Sequence, residues 1–207
     1  MIHLPIDIKR FGFVEREKVN GTFLKNRCGR DFLYYALHYY YPEVFNPSCN
    51  NPEEIEEKRL FGKSVPAVFA WSQLQFISLP KFLRSKSLSL KISNRQINSF
   101  KDFFNAILFS RITYEKAVSK IEVGVREGRV IGIDIAMAFN GLLDHMLFVY
   151  GYDDEFYYVC DTRKVPMIQY KKVDKNSDVY YMKISKEEMR KRWKKFSRIW
   201  EIEKIST

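Results

Sequence analysis

A nucleophile, a base and an orienting carboxylate can be read from this chain in that order. Cys28 is followed by Gly29 and the aromatic run Asp31-Phe-Leu-Tyr-Tyr-Ala-Leu-His-Tyr-Tyr-Tyr41, which Pro42 stops. The run predicts a helix from Gly29 to Tyr41. Cys28 would stand at or just before its N-terminus, where the helix dipole and free N–H groups stabilise a thiolate. Downstream, His145-Met-Leu-Phe-Val-Tyr150 reads as a strand, Gly151-Tyr152-Asp153 as a hairpin turn, and Tyr157-Tyr-Val-Cys-Asp161 as the return strand. In an antiparallel hairpin the two outer ends lie side by side, so Asp161 can orient the ring of His145. A thiol, an imidazole and a carboxylate so arranged are the parts of nucleophilic acyl transfer.

Other residues of the same types are poorer candidates. A free cysteine is ordinarily a small buried hydrophobe, and Cys160, alternating within a strand, fits that role. Cys49 lies in the loop-like Asn46-Pro-Ser-Cys-Asn-Asn51 and has no apolar helix after it. His38 shares the helix of Cys28 but lies about 15 Å along the axis, out of reach of the thiol proton. His3 belongs to the N-terminal segment. Asp144 points to the opposite face from His145 in a regular strand, and Asp134 sits on a neighbouring predicted strand. Asp161 itself could be no more than a turn-forming aspartate ahead of Thr162.

The elements that must position these groups divide the chain. Alternation at Ile2, Leu4, Ile6 and Ile8 predicts an extended lead-in. A helix follows from Asn51-Pro52-Glu53-Glu54 to Gly62, with a capping residue, proline and acidic side chains in the first turn. Pro66 to Ile77 reads as helical, Leu79 to Leu83 as a turn, and Ser87 to Ile92 as a strand. Ser99 and Thr113 cap helices that run to Phe109 and about Glu127. Beyond Gly128 strands dominate, near 130–135, 145–151, 155–160, 166–171 and 179–184. Ser185-Lys-Glu-Glu188 has the form of a capping box opening a helix to Phe196, and Arg198 to Glu203 returns as a strand. A mostly helical first half on a mostly antiparallel second half is an α+β layout, with the nucleophile at a helix N-terminus. Most aromatics of the middle segment are expected to pack inward.

Composition sets the outer bounds. At 207 residues, 46% hydrophobic and 16% aromatic, the chain is expected to form one packed domain spanning 1–207. No apolar run approaches the roughly 18–20 residues of a membrane-spanning helix. Met1-Ile-His-Leu-Pro5 has no secretory-signal pattern, so the expected location is cytoplasmic. Three cysteines without a Cys-x-x-Cys pair and three scattered histidines predict neither a disulfide scaffold nor a metal site, and no cofactor is expected. The net charge of +10 concentrates between Lys171 and Arg198. A solvated basic face accounts for it, and an acidic protein or other anionic partner is the functional alternative. No nucleic-acid motif accompanies the charge.

Taken together, Cys28-Gly29 before a Tyr-rich helix, Arg129-Val-Ile-Gly-Ile-Asp-Ile135, His145 to Gly151-Tyr152-Asp153, and Tyr158-Val-Cys-Asp161 resemble the bacteriocin-processing double-glycine peptidases of the papain-like superfamily. Ile184-Ser-Lys-Glu-Glu-Met-Arg-Lys-Arg-Trp193 is similar to that group's closing helix. The N-terminal domain of butirosin-type acyl-carrier-dependent acyltransferases shares the pattern, and Gly128 to Asp134 resembles its strand before the histidine. The likeness covers both ends and leaves about residues 45–125 unmatched, which are expected to be a helical insertion. It implies a papain-like fold and a cysteine peptidase or amidase with Cys28, His145 and Asp161 as triad, acting on a peptide or acyl substrate. The alternatives are an acyltransferase of the same fold, or a non-catalytic relative binding an acidic partner through the basic C-terminal helix. Where the group carries an oxyanion-holding glutamine, about six residues before the cysteine, this chain has Thr22. Asn20 and Asn26 are nearby amides, and with Thr22 they are the oxyanion candidates. Arg30, Asp31 and Thr162 also depart from the group's usual small residues and proline.

Overall fold

The computed structural model describes residues 1–5, 28–42, 79–109, 111–138, 143–161, 167–173, 182–195 and 197–205. The helices expected at 51–62 and 66–77, Cys49, Thr162, and the oxyanion candidates Asn20, Thr22 and Asn26 lie outside the described residues. Described in chain order are β1 (Ile2–His3), α1 (Cys28–Tyr40), α2 (Leu79–Ser85), β2 (Leu90–Ile92), β3 (Arg95–Gln96), α3 (Phe100–Phe109) and α4 (Tyr114–Arg126). After them come β4 (Val130–Ala138), β5 (Leu143–Tyr152), β6 (Phe156–Cys160), β7 (Tyr170–Lys172), β8 (Met182–Ser185), α5 (Lys186–Arg192) and β9 (Arg198–Lys204).

The fold is α+β, with all the described strands in one antiparallel sheet of order β3-β2-β9-β4-β5-β6-β8-β7, and β1 pairs with the far end of β5. In the centre, β4, β5 and β6 read as largely apolar sequence because both faces are covered, and β9 beside them is buried from Arg198 to Ile202 although it carries Arg198 and Glu201. Its buried side chains include Ile131, Ile133, Leu147, Val149, Tyr157, Val159, Ile199 and Trp200. The segment 79–125 adds to this sheet as well as carrying helices, since the β2–β3 hairpin pairs with β9.

Local signals set several boundaries as the sequence predicts. The Thr113 side chain accepts from the Lys116 N–H at the start of α4, and Ser185 accepts from Glu188 N–H at the start of α5. Helix α5 ends earlier than expected, at Arg192 and not Phe196. Trp193 turns extended, donates its indole N–H to the Ile112 carbonyl at 2.9 Å, and packs edge-on against Tyr114. The turn expected at 79–83 is instead the first part of α2. Phe104 departs from the inward packing expected of its segment: with Phe100, one turn away on α3, it is about half exposed.

Candidate active site

Helix α1 lies along the sheet in a direction its contacts fix. At its C-terminal end the Tyr40 hydroxyl donates to the Ile202 carbonyl and accepts from the Val130 N–H, so this end sits over the start of β4. In the middle, Tyr35 stacks on Phe148 with centroids 5.3 Å apart, and the Phe32 ring fills the space above Gly132. A Cβ at Gly132 would lie 2.6 Å from that ring, so glycine here lets the helix seat directly on β4. From Tyr40 back to Cys28 the helix rises about 18 Å. From Tyr150, beside Val130, back to His145 the strand runs about 17 Å. The helix therefore carries Cys28 to the end of the sheet where β5 begins.

His145 and Asp161 meet at that same end. The β5–β6 register pairs Phe148 with Cys160; continued by one residue it sets Asp161 opposite Leu147, with His145 its diagonal neighbour on the same face. His145 Nε2 stands 2.8 Å from Asp161 Oδ1, with both side chains buried. The second carboxylate oxygen accepts from the Tyr170 hydroxyl on β7. The Cys28 side chain is the other group that acts on the imidazole. Since Nε2 faces Asp161, Nδ1 is the nitrogen left for the sulfur.

The electrostatics follow from burial and charge. Removing His145 from water would by itself push its proton affinity down. The Asp161 carboxylate and then the Cys28 sulfur, together with the hydrogen bonds to each, more than reverse this, and the ring's pKa is pushed up to about 10. The ring is thus held as an imidazolium at neutral pH. Tyr170 is raised well above the ordinary phenol range, first by burial and then by the Asp161 charge, so it remains a donor throughout.

The rival residues are placed elsewhere. Cys160 is buried, its thiol 3.2 Å from the Tyr35 hydroxyl. His38 is buried on α1 beyond the reach of Cys28. His3 is paired with Gly151 in β1, at the far end of β5 from His145. Asp134 is buried and accepts the Trp200 indole N–H at 2.8 Å, while Asp144 lies 3.8 Å from Arg198. The structure therefore brings together Cys28, His145 and Asp161. Tyr170 was not singled out by sequence: among the described strands its strand joins the sheet through β8, and nothing local marks it as a neighbour of Asp161.

Among the described residues no group of three or more His, Cys, Asp or Glu side chains is placed to hold a metal ion. No described helix is long and apolar enough to cross a membrane. Against known proteins, no family model matches the chain, and neither the curated proteins nor the solved structures give a match.

Proposed function

We propose that the chain is a cysteine-nucleophile acyl-transfer enzyme of papain-like type, a peptidase or amidase in which Cys28 attacks, His145 moves the proton and Asp161 holds the ring. The observation that carries this is the buried contact of one imidazole with a carboxylate on Nε2 and a cysteine at a helix N-terminus on its other side. Burying a charged histidine on an aspartate costs several kcal/mol of desolvation unless the partners compensate. A fold in need of packing alone would be served as well by apolar side chains at these positions.

The chemistry runs in two halves. The proton of the Cys28 thiol is held on His145 Nδ1, and the sulfur forms a bond to the substrate carbonyl carbon. The carbonyl electron pair moves onto oxygen. As first residue of α1, Cys28 has a backbone N–H with no partner inside the helix, and it is the donor at hand for that oxyanion. Collapse breaks the C–N bond, and His145 gives its proton to the departing amine. The thioester is then attacked by water, whose proton returns through His145 as the C–S bond breaks. The products are an acid and an amine, with the enzyme restored. An amine in place of water makes the same cycle an acyl transfer.

The test is direct trapping. Wild-type protein is mixed with peptide amides, activated esters and thioesters, quenched in acid, and digested for mass spectrometry. An acyl group on Cys28, absent in His145→Ala, supports the proposal; the absence of any acyl adduct across all three classes overturns it. The competing role, anion binding through the C-terminal helix, is weakened by Arg192, which turns inward to Glu188, Ala136 and Met167.

A further inference from the structure

Asp161 is held by more than His145. Its Oδ2 takes the Tyr170 hydroxyl, so both oxygens of a fully buried carboxylate are engaged by donors from different strands. Two hydrogen bonds on opposite oxygens fix the plane of the carboxylate as well as its position, and a neutral phenol does so without cancelling the charge that acts on His145. Among the described strands, the one presenting Tyr170 is short and stands last in the sheet order, paired with β8. An edge strand of three residues frays readily unless something secures it.

Helix α5 supplies that anchor. Glu188 accepts from Arg192 Nε at 2.5 Å and from the Gln169 N–H just before Tyr170. The Arg192 guanidinium donates to the Met167 carbonyl on the same approach and to the Ala136 carbonyl of β4. Ala136 is the register partner of Asp144, the residue next to His145. One ion pair thus ties the strand carrying Tyr170 to the end of the hairpin carrying His145.

We infer that Tyr170 is a positioning residue of the site, fixing the second oxygen of Asp161, and that the Glu188–Arg192 pair holds its strand in register with β4 and β5. The inference rests on the acyl-transfer reading, and its test separates the two. Among the described residues, the charged and titratable groups that face Asp161 include His145 from β5, Cys28 from α1, Tyr170 from β7 and, beyond it, Arg192 from α5. Tyr170→Phe removes one donor and little volume. It is expected to slow Cys28 acylation about 10-fold, and to raise the pH at which the acid limb of the rate profile falls. It should also move the proton resonance of the His145 Nε2–H on Asp161. An unchanged rate, acid limb and resonance in a folded Tyr170→Phe protein overturns the inference. If Tyr170→Phe does not fold, 3-fluorotyrosine at position 170 keeps the test open. The stronger donor must shift the acid limb downward, and a limb that stays in place is again contrary. His145→Ala run in parallel distinguishes the failures: loss of Cys28 reactivity there, with none in Tyr170→Phe, sinks only the role of Tyr170. Indifference to both variants sinks the acyl-transfer reading with it.

Discussion

Two buried carboxylates of this sheet, Glu201 and Asp161, are partnered by opposite means. Glu201 in the centre of β9 meets Arg129, with which it makes a very short contact, and Lys120 at 3.0 Å; Arg129 also reaches Glu203 and Glu127. Those partners are an arginine and a lysine that both reach solvent, so the cluster is a fixed support between α4 and the sheet. Asp161 has as partners an imidazole and a phenol, both titratable, the first buried and the second partly buried. Its cation exists only because the carboxylate and a neighbouring sulfur raise the proton affinity of His145. A permanent cation suits a support, whereas a proton that can be lent and returned suits chemistry.

Substitutions at the two sites should therefore separate rate from stability. The largest effect on rate belongs to the reacting pair: Cys28→Ala or His145→Ala is expected to lower acyl-transfer activity by about 10⁴-fold or more. Thermal melts of both variants check that the fold survives. Asp161→Asn keeps the shape and removes the charge, with an expected loss of about 10²–10⁴-fold. Its pH signature has a definite sign. The wild-type ring keeps its proton until the pH passes about 10, so the rate falls on the alkaline side as that proton is lost. Without the carboxylate, burial pulls the ring down and the alkaline limb moves to lower pH. A limb that stays near its wild-type position would detach Asp161 from His145.

Gly132→Ala tests whether the seating of α1 sets the position of Cys28. The new Cβ meets the Phe32 ring at 2.6 Å and must displace it. A stability loss of about 1–3 kcal/mol is expected in denaturant titrations, with a fall in rate that Cys28's displacement explains. Glu201→Gln is the smallest perturbation of rate: about 1–3 kcal/mol of stability is expected to go, and turnover of the folded protein should not change. Lost turnover at full stability would erase the distinction between the two carboxylates.

The sequence carried the hairpin well because its geometry is local. Apolar runs bounded by His145 and Asp161, with Gly151-Tyr152-Asp153 between them, determine which ends meet, and the register leaves the two side chains diagonal as a hairpin requires. Caps at Thr113 and Ser185 were equally readable, since the partner N–H lies three residues on. What escaped depends on distant pairing. Trp193 leaves α5 for Ile112 and Tyr114, contacts no local pattern announces. Tyr170 reaches Asp161 because β8 lies between β6 and β7 in the sheet, out of sequence order. The insertion of β2 and β3 beside β9 is another such long-range event, invisible to a reading of each segment by itself.

The most direct test of the Cys28–His145 pairing is the rate of iodoacetamide alkylation at Cys28, followed by mass spectrometry across acid to alkaline pH in wild type and His145→Ala. Pairing predicts that the rate profile of wild type differs from that of the variant, with His145→Ala losing reactivity on the acid and neutral side. Identical profiles in the two proteins would show that the imidazole does not act on the thiol, and the account of this site as an acyl-transfer centre would fail.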